Sequence, residues 1–257
     1  MKCIETVDAM KKQVFAWQKT QQKIGFVATM GHLHQGHGFL LERAKSENDV
    51  VVLSIFVNPC QFNDPEDFKH YPKTPEQDLA FAKDLGVDVV FMPDAKAMYP
   101  DQAQYKVTES IESQRLEGAC RPGHFDGMLT IVLKLLLLIS PQHAYFGEKD
   151  YQQWKLVEGL CRAFLLDVKI IGCPTQREED GLALSSRNSK LSTQERKQAA
   201  WIHRIIQSPI SVDAMKQQLQ EQGFRLEYVE KMAGRTLVAV YLGQTRLIDN
   251  VVDKAET

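Results

Sequence analysis

The sequence predicts an α/β fold: a Rossmann-like, doubly wound parallel sheet followed by a second, smaller α+β domain. Three observations predict it. Apolar and β-branched runs alternate with helix-patterned segments from residue 24 to residue 171, the order that builds a parallel sheet through right-handed crossovers. A glycine-rich turn joins the first of those runs to a helix. Beyond residue 190 the order changes to helices followed by three short strands in succession, which reads as an antiparallel meander.

Residues 6–20 have a helical pattern and cover the outside of the fold. The apolar run Ile24 to Ala28 is the first strand, and a helix over 37–47 follows. Asp49 to Val57 is almost continuously β-branched, as expected of a strand buried on both faces. Pro65 to Pro72 reads as a loop with one short turn, Pro75 to Leu85 as a helix closed by Gly86, and Val87 to Met92 as a strand. Residues 93–124 look irregular. A buried helix over 125–139 ends before Pro141, because proline cannot continue it. Ala144 to Phe146 is a short strand, 151–164 a helix, and Val168 to Ile171 a strand. Thr175 to Lys190 is polar and loop-like, which sets the domains at 1–175 and 176–257. Helices over 192–207 and 211–222 and strands at 226–230, 236–241 and 245–248 make up the second domain.

Composition narrows the function. Hydrophobic residues are 44% of the chain and the net charge is −2, so a packed core is expected and the basic excess of a nucleic-acid binder is missing. The five cysteines (Cys3, Cys60, Cys120, Cys161 and Cys173) are scattered with no Cys-x-x-Cys pair, which fits a reducing cytoplasm. Residues 1–12 hold no apolar signal core. The most apolar run, 128–139, contains Lys134 and is too short to span a bilayer.

The stretch Val27 to Gly38 carries the chemistry. A strand, a turn with Gly31, Gly36 and Gly38, and then a helix aim free backbone N–H groups at an anion. His34 and His37 stand where the turn becomes the helix, where a donor imidazole adds to the positive end of the helix dipole. His32-x-His34 also has a metal-ligand spacing, so a metal hydrolase is one alternative. No dinucleotide fingerprint or Walker A sequence occurs. Any phosphate handling therefore falls to this turn and to remote basic residues.

Thr29-Met30-Gly31-His32-Leu33-His34-Gln35-Gly36-His37 resembles the signature of the pantothenate synthetase (pantoate–β-alanine ligase) family of His-x-Gly-His nucleotidyltransferases. Four further segments resemble that family in order: Phe56-Val57-Asn58-Pro59-Cys60-Gln61-Phe62, Arg121-Pro122-Gly123-His124-Phe125-Asp126-Gly127, Tyr145 to Gln153 around Gly147-Glu148-Lys149-Asp150, and Asp180 to Asn188 around Ser185-Ser186-Arg187. Arg246-Leu247-Ile248-Asp249-Asn250 is similar to the family's ending.

The resemblance implies an ATP-dependent ligase. Pantoate and ATP would give pantoyl adenylate and pyrophosphate, and β-alanine would then displace AMP to give pantothenate. By the same resemblance His37, His34 and Lys149 are the catalytic residues. ATP would lie against Met30, Gly31, His34, Gly36, His37, Gly147, Glu148, Lys149, Asp150, Gln176, Leu184, Ser185, Ser186 and Arg187. Gln61, Gln153 and Asn58 would bind pantoate, since amides both donate to and accept from a hydroxy acid. Asp78 would touch Mg²⁺. A cytoplasmic homodimer with no membrane and no nucleic-acid partner is expected, with the second domain closing over the site.

The chain departs from the family at several points. His32 stands at a variable position. Gln77-Asp78 replaces a pair of acids, Gln176 replaces an apolar residue, and the second domain is short. Within enzymes, the alternative is another adenylyl- or cytidylyltransferase, against which Gln61 and Gln153 argue. A non-catalytic binding module is the third. His124 is read as either a loop histidine or a site residue. His70, His143 and His203 lie outside every motif.

Overall fold

The structure is a computed structural model, and it describes residues 1–63 and 65–253. Tertiary contacts divide the chain into two compact units. Residues 1–147 with 152–173 form the first; Glu148–Tyr151 joins the residues from Pro174 onward in the second.

The first unit is built on six parallel strands: β1 (Lys2–Ile4), β2 (Ile24–Thr29), β3 (Val50–Ile55), β4 (Val89–Phe91), β5 (His143–Gly147) and β6 (Lys169–Cys173). Their order is β1-β4-β3-β2-β5-β6. The chain therefore reverses its winding direction beside β2, and the crevice at such a switch point is where doubly wound sheets bind ligands. The period-2 alternation of a strand explains the two faces. Ile24, Phe26, Val50 and Val52 enter one apolar core with Met10, Trp17, Leu129, Leu136 and Val157. Val27, Val51, Leu53 and Val90 enter the other with Leu41, Ala44 and Ala82. Helices Val7–Lys19, His124–Ile139 and Tyr151–Ala163 thus supply residues to one core, and Gln35–Glu47 and Pro75–Asp84 to the other. All six residues of β3 are buried.

Strand β1 has no counterpart in the sequence reading. It is three residues long and buries only Ile4, so it carries no periodic signal. Its order comes from backbone pairing with Val89 to Phe91. Pro65–Lys69 is a five-residue helix in the stretch expected as a loop with one short turn. Asp64 and the expected domain's last four residues lie outside the described ones. The irregular stretch 93–124 contains a helical turn, Ala95–Met98, capped by the Asp94 side chain, which accepts the N–H of Ala97.

The second unit carries β7 (Arg225–Met232), β8 (Arg235–Leu242) and β9 (Thr245–Val252), an antiparallel meander in the order β7-β8-β9. One helix was expected over 192–207, but the chain forms two, Thr193–Ala199 and Trp201–Ile206. Ile202, Ile205, Ile206, Met215 and Leu219 pack with Val229, Val238 and Val240 into a separate core.

Candidate active site

The histidine turn follows the carboxyl end of β2. Gly31 has φ +84°, and a Cβ there would lie 3.0 Å from Asp78 Oδ2 and 3.1 Å from Ile55. His32 also has positive φ, 52°. The carboxylate of Asp78 holds this strained backbone: its oxygens accept the N–H of His32 at 2.9 Å and of Leu33 at 2.7 Å, and the hydroxyl of Thr74 at 3.2 Å. Asp78 is buried. Two backbone amides and one hydroxyl thus occupy the carboxylate from which the Mg²⁺ contact is expected. Among the described residues, no three His, Cys, Asp or Glu side chains are arranged to hold a metal ion.

His34 caps the helix Gln35–Glu47, and the two histidines form a reciprocal capping box. Nδ1 of His34 accepts the N–H of Gly36 at 3.1 Å, and Nδ1 of His37 accepts the N–H of His34 at 3.3 Å. Their ring centroids are 4.1 Å apart. A ring nitrogen accepts only when unprotonated, so these bonds assign the proton of each neutral ring to Nε2. Both rings are thereby defined as Nε2–H donors at a helix start, where anions are favoured.

A second cluster forms where β3 gives way to Asn58-Pro59-Cys60-Gln61. The Asn58 amide is fully engaged. Oδ1 accepts Cys60 N–H at 3.3 Å and the Tyr99 hydroxyl at 2.8 Å; Nδ2 donates to Gly127 O at 3.0 Å and Gln61 Oε1 at 3.1 Å. Burial holds the Tyr99 hydroxyl far above its ordinary pKa, so it stays a donor. Its two donor and two acceptor positions all have partners in this arrangement. Asn58, expected at pantoate, thus sets the position of Gln61, the other expected ligand on this turn. Gln61 Nε2 is left to point at the sulfur of Met30, 2.9 Å away, and a thioether is a weak acceptor.

The Arg121–Gly127 segment packs beneath Gln61. His124 Nδ1 donates to the Gln61 carbonyl at 2.8 Å, and Arg121 Nη1 donates to His124 Nε2 at 3.1 Å. Arginine cannot accept, which fixes this tautomer. A Cβ on Gly127 would sit 2.1 Å from Cys60 O and 2.7 Å from Gln61 N. Only glycine lets the helix His124–Ile139 approach so closely. In the glutamine pair that follows, Gln152 is buried, accepting from Glu117 N at 3.1 Å and donating to Arg115 O at 2.9 Å. Gln153 is half-buried.

In the second unit, Lys149 is 17% exposed at its side chain, with its ammonium 3.8 Å from Asp150. Glu148, expected beside the nucleotide, pairs its carboxylate with Arg235. Ser185 caps the 3-10 turn Ser186–Lys190 by accepting Arg187 N–H at 3.2 Å. Arg187 donates to Arg246 O at 3.4 Å. Leu184 N–H donates to Gln176 O at 2.9 Å, and the Gln176 side chain turns back to Pro174 O. Sequence reasoning missed the roles of Tyr99, Arg235 and Asn250. The signal for the last was a polar pair, Asp249-Asn250, interrupting an apolar strand.

Comparison with known proteins gives the chain's family. A family model described as pantoate-beta-alanine ligase matches residues 2–252. The chain is 50% identical over 237 residues to a pantothenate synthetase of Bdellovibrio bacteriovorus, covering 92% of this chain and 94% of that one. It is 50% identical over 240 residues to a pantothenate synthetase of Coxiella burnetii, covering 91% and 93%. A crystal structure of pantoate-beta-alanine ligase from Francisella tularensis, complexed with beta-gamma ATP and beta-alanine, superposes with a TM-score of 0.93. It is 44% identical, covering 98% of this chain and 97% of that one. A pantothenate synthetase structure from Thermus thermophilus gives a TM-score of 0.89 at 40% identity, covering 98% and 99%.

Proposed function

The chain belongs to the pantoate–β-alanine ligase family, and from that premise we propose that it joins pantoate to β-alanine through a pantoyl adenylate. A pantoate carboxylate oxygen attacks the α-phosphorus of ATP, and pyrophosphate leaves. The amine of β-alanine then attacks the carbonyl carbon of the mixed anhydride. AMP leaves, and the nitrogen gives up a proton. A carboxylate is too poor an electrophile to react with an amine directly, which is why activation comes first.

The observation that carries this reading is the Gln61 amide, whose donor rests on the sulfur of Met30. Met30 continues directly into the histidine turn. An acceptor oxygen of pantoate is a better partner for that donor than a thioether, and it would set the carboxylate beside the nucleotide. Gln153 supplies the second amide. The Nε2–H donors of His34 and His37, with Lys149, Ser185, Ser186 and Arg187 from the second unit, offset charge building on the phosphates; preorganised donors are worth most in that role. Gly31, Gly36 and Gly147 leave room for the nucleotide, and Asp150, Gln176 and Leu184 contact it. Mg²⁺ enters as the companion of ATP, held by phosphates and water. Because no disulfide joins the five cysteines, a cytoplasmic setting fits. The homodimer rests on the family resemblance alone and is read by sedimentation.

The test is exchange of labelled pyrophosphate into ATP with pantoate and Mg²⁺ present and β-alanine absent, followed by AMP release when β-alanine is added. Exchange persists when Cys60 and Cys120 are both changed to Ser, since no acyl-enzyme is formed. Strict dependence of exchange on β-alanine would overturn the adenylate route.

A further inference from the structure

We infer that Asn250 is the positioning residue for Lys149, and that strand β9 is the part on which the two phosphate-facing segments of the second unit are registered. The inference rests on the role given to Lys149 above. Asn250 is buried, 3% exposed. Its Nδ2 donates to the carbonyl oxygens of both Glu148 and Lys149, each at 2.9 Å. Its Oδ1 accepts Arg235 Nη1 at 2.7 Å. That bond fixes which way the amide faces, because a flip would set its oxygen against two carbonyl oxygens and its NH₂ against a guanidinium.

Two further contacts hold the clamp. Arg235 pairs with the Glu148 carboxylate and lies over the Tyr151 ring, 4.8 Å from its centroid. The residues gripped, 148–151, are the short segment that groups with the second unit while its flanks group with the first. The backbone of Asn250 is itself fixed: Arg177 donates to its carbonyl at 3.1 Å and forks onto Asp249 at 2.7 and 2.9 Å. Four residues earlier on the same strand, the carbonyl of Arg246 receives Arg187. Strand β9 thus holds the Lys149 turn by a side chain and the Arg187 turn by a backbone oxygen.

An ammonium on a flexible stem stabilises a transition state only where its backbone is fixed, and a displacement of about 1 Å costs on the order of a hundredfold in rate. Asn250→Ala should therefore lower kcat and the pyrophosphate-exchange rate by about 10- to 100-fold, with the KM for pantoate within about twofold of the wild type. Asn250→Asp should fall further, since it replaces the shared donor by an acceptor facing two carbonyls. In a Lys149→Ala background, Asn250→Ala should cost nothing more, because its effect runs through Lys149. Wild-type exchange in folded Asn250→Ala, or full additivity with Lys149→Ala, overturns the inference. Near-normal turnover in Lys149→Ala alone removes Lys149 from the site and overturns the functional assignment beneath it. Should Asn250→Ala fail to fold, Arg235→Lys probes the same clamp: it keeps the charge and loses the fork that reaches Asn250 and Glu148 together. The same fall in kcat with unchanged pantoate KM is expected, and wild-type kcat overturns the clamp.

Discussion

His124 Nδ1 donates to the carbonyl oxygen of Gln61, 63 residues earlier, at 2.8 Å. The bond joins the start of a buried helix to the turn after β3, and Arg121 fixes its tautomer from the other side. His124→Ala should free the Gln61 carbonyl and loosen the turn. Pantoate binding should weaken about tenfold, equivalent to about 1.4 kcal/mol and within the usual range for one broken buried hydrogen bond. ATP affinity should stay near the wild type. Isothermal titration with each substrate separately reads both quantities, and an equal loss of ATP and pantoate binding would refute the assignment.

The amide and imidazole clusters should separate kinetically. Gln61→Ala and Gln153→Ala should weaken pantoate binding and leave ATP binding intact. His37→Ala should slow adenylation by roughly 2–4 kcal/mol, the scale of one lost preorganised donor. Pre-steady-state pyrophosphate release at saturating pantoate distinguishes them. Loss of ATP binding in the glutamine variants would reverse the pocket assignment.

Two glycines in helices should behave oppositely. Gly127→Ala brings a methyl to 2.1 Å from Cys60 O, while at Gly159 an added Cβ meets nothing within 4 Å. Gly127→Ala should cost about 1–3 kcal/mol of stability by overpacking and also impair pantoate binding, because the turn it displaces carries Gln61. Gly159→Ala, inside the helix Tyr151–Ala163, should gain about 0.5–1 kcal/mol with activity unchanged. Denaturant unfolding of both variants checks the pair.

His203 gives the second unit a pH dependence. Burial, with Arg177 nearby, lowers its pKa, and Asp249 only partly opposes the shift. The unfolded chain then binds the proton more readily than the folded one. The resulting stability is complete above the unfolded value of about 6.5, and is lost as pH falls through that value toward the lower folded pKa. His203→Gln cannot titrate. Its Tm should fall less than the wild type's between about pH 7.5 and about pH 5.5, by a few degrees per kcal/mol for a chain of this size. An equal fall in both would show that His203 does not titrate differently on folding.

Much of this was legible in the sequence because it is written in local patterns. The β-branched run 50–55 and the glycine-histidine turn 29–37 announce a buried parallel strand and an anion-binding helix start, since both depend on residues a few positions apart. The same holds for Gly31, which the turn's geometry requires. The sequence by itself therefore determined the α/β class, the alternation of strands and helices from β2 to β6, and the second domain's meander.

Tertiary structure alone decided what each polar side chain does. Asp78 and Asn58 stand in a motif as ligands, and the fold also gives them backbone and side-chain partners from elsewhere in the chain. Asn250 looks like a strand residue, yet it reaches two carbonyls about a hundred positions away. Strand β1 exists only because Val89 to Phe91 offers it an edge. The physical reason is common to all four. Whether a polar group binds the fold or a ligand depends on which partners fill its hydrogen-bonding positions, and those partners come from distant segments whose proximity no local pattern encodes.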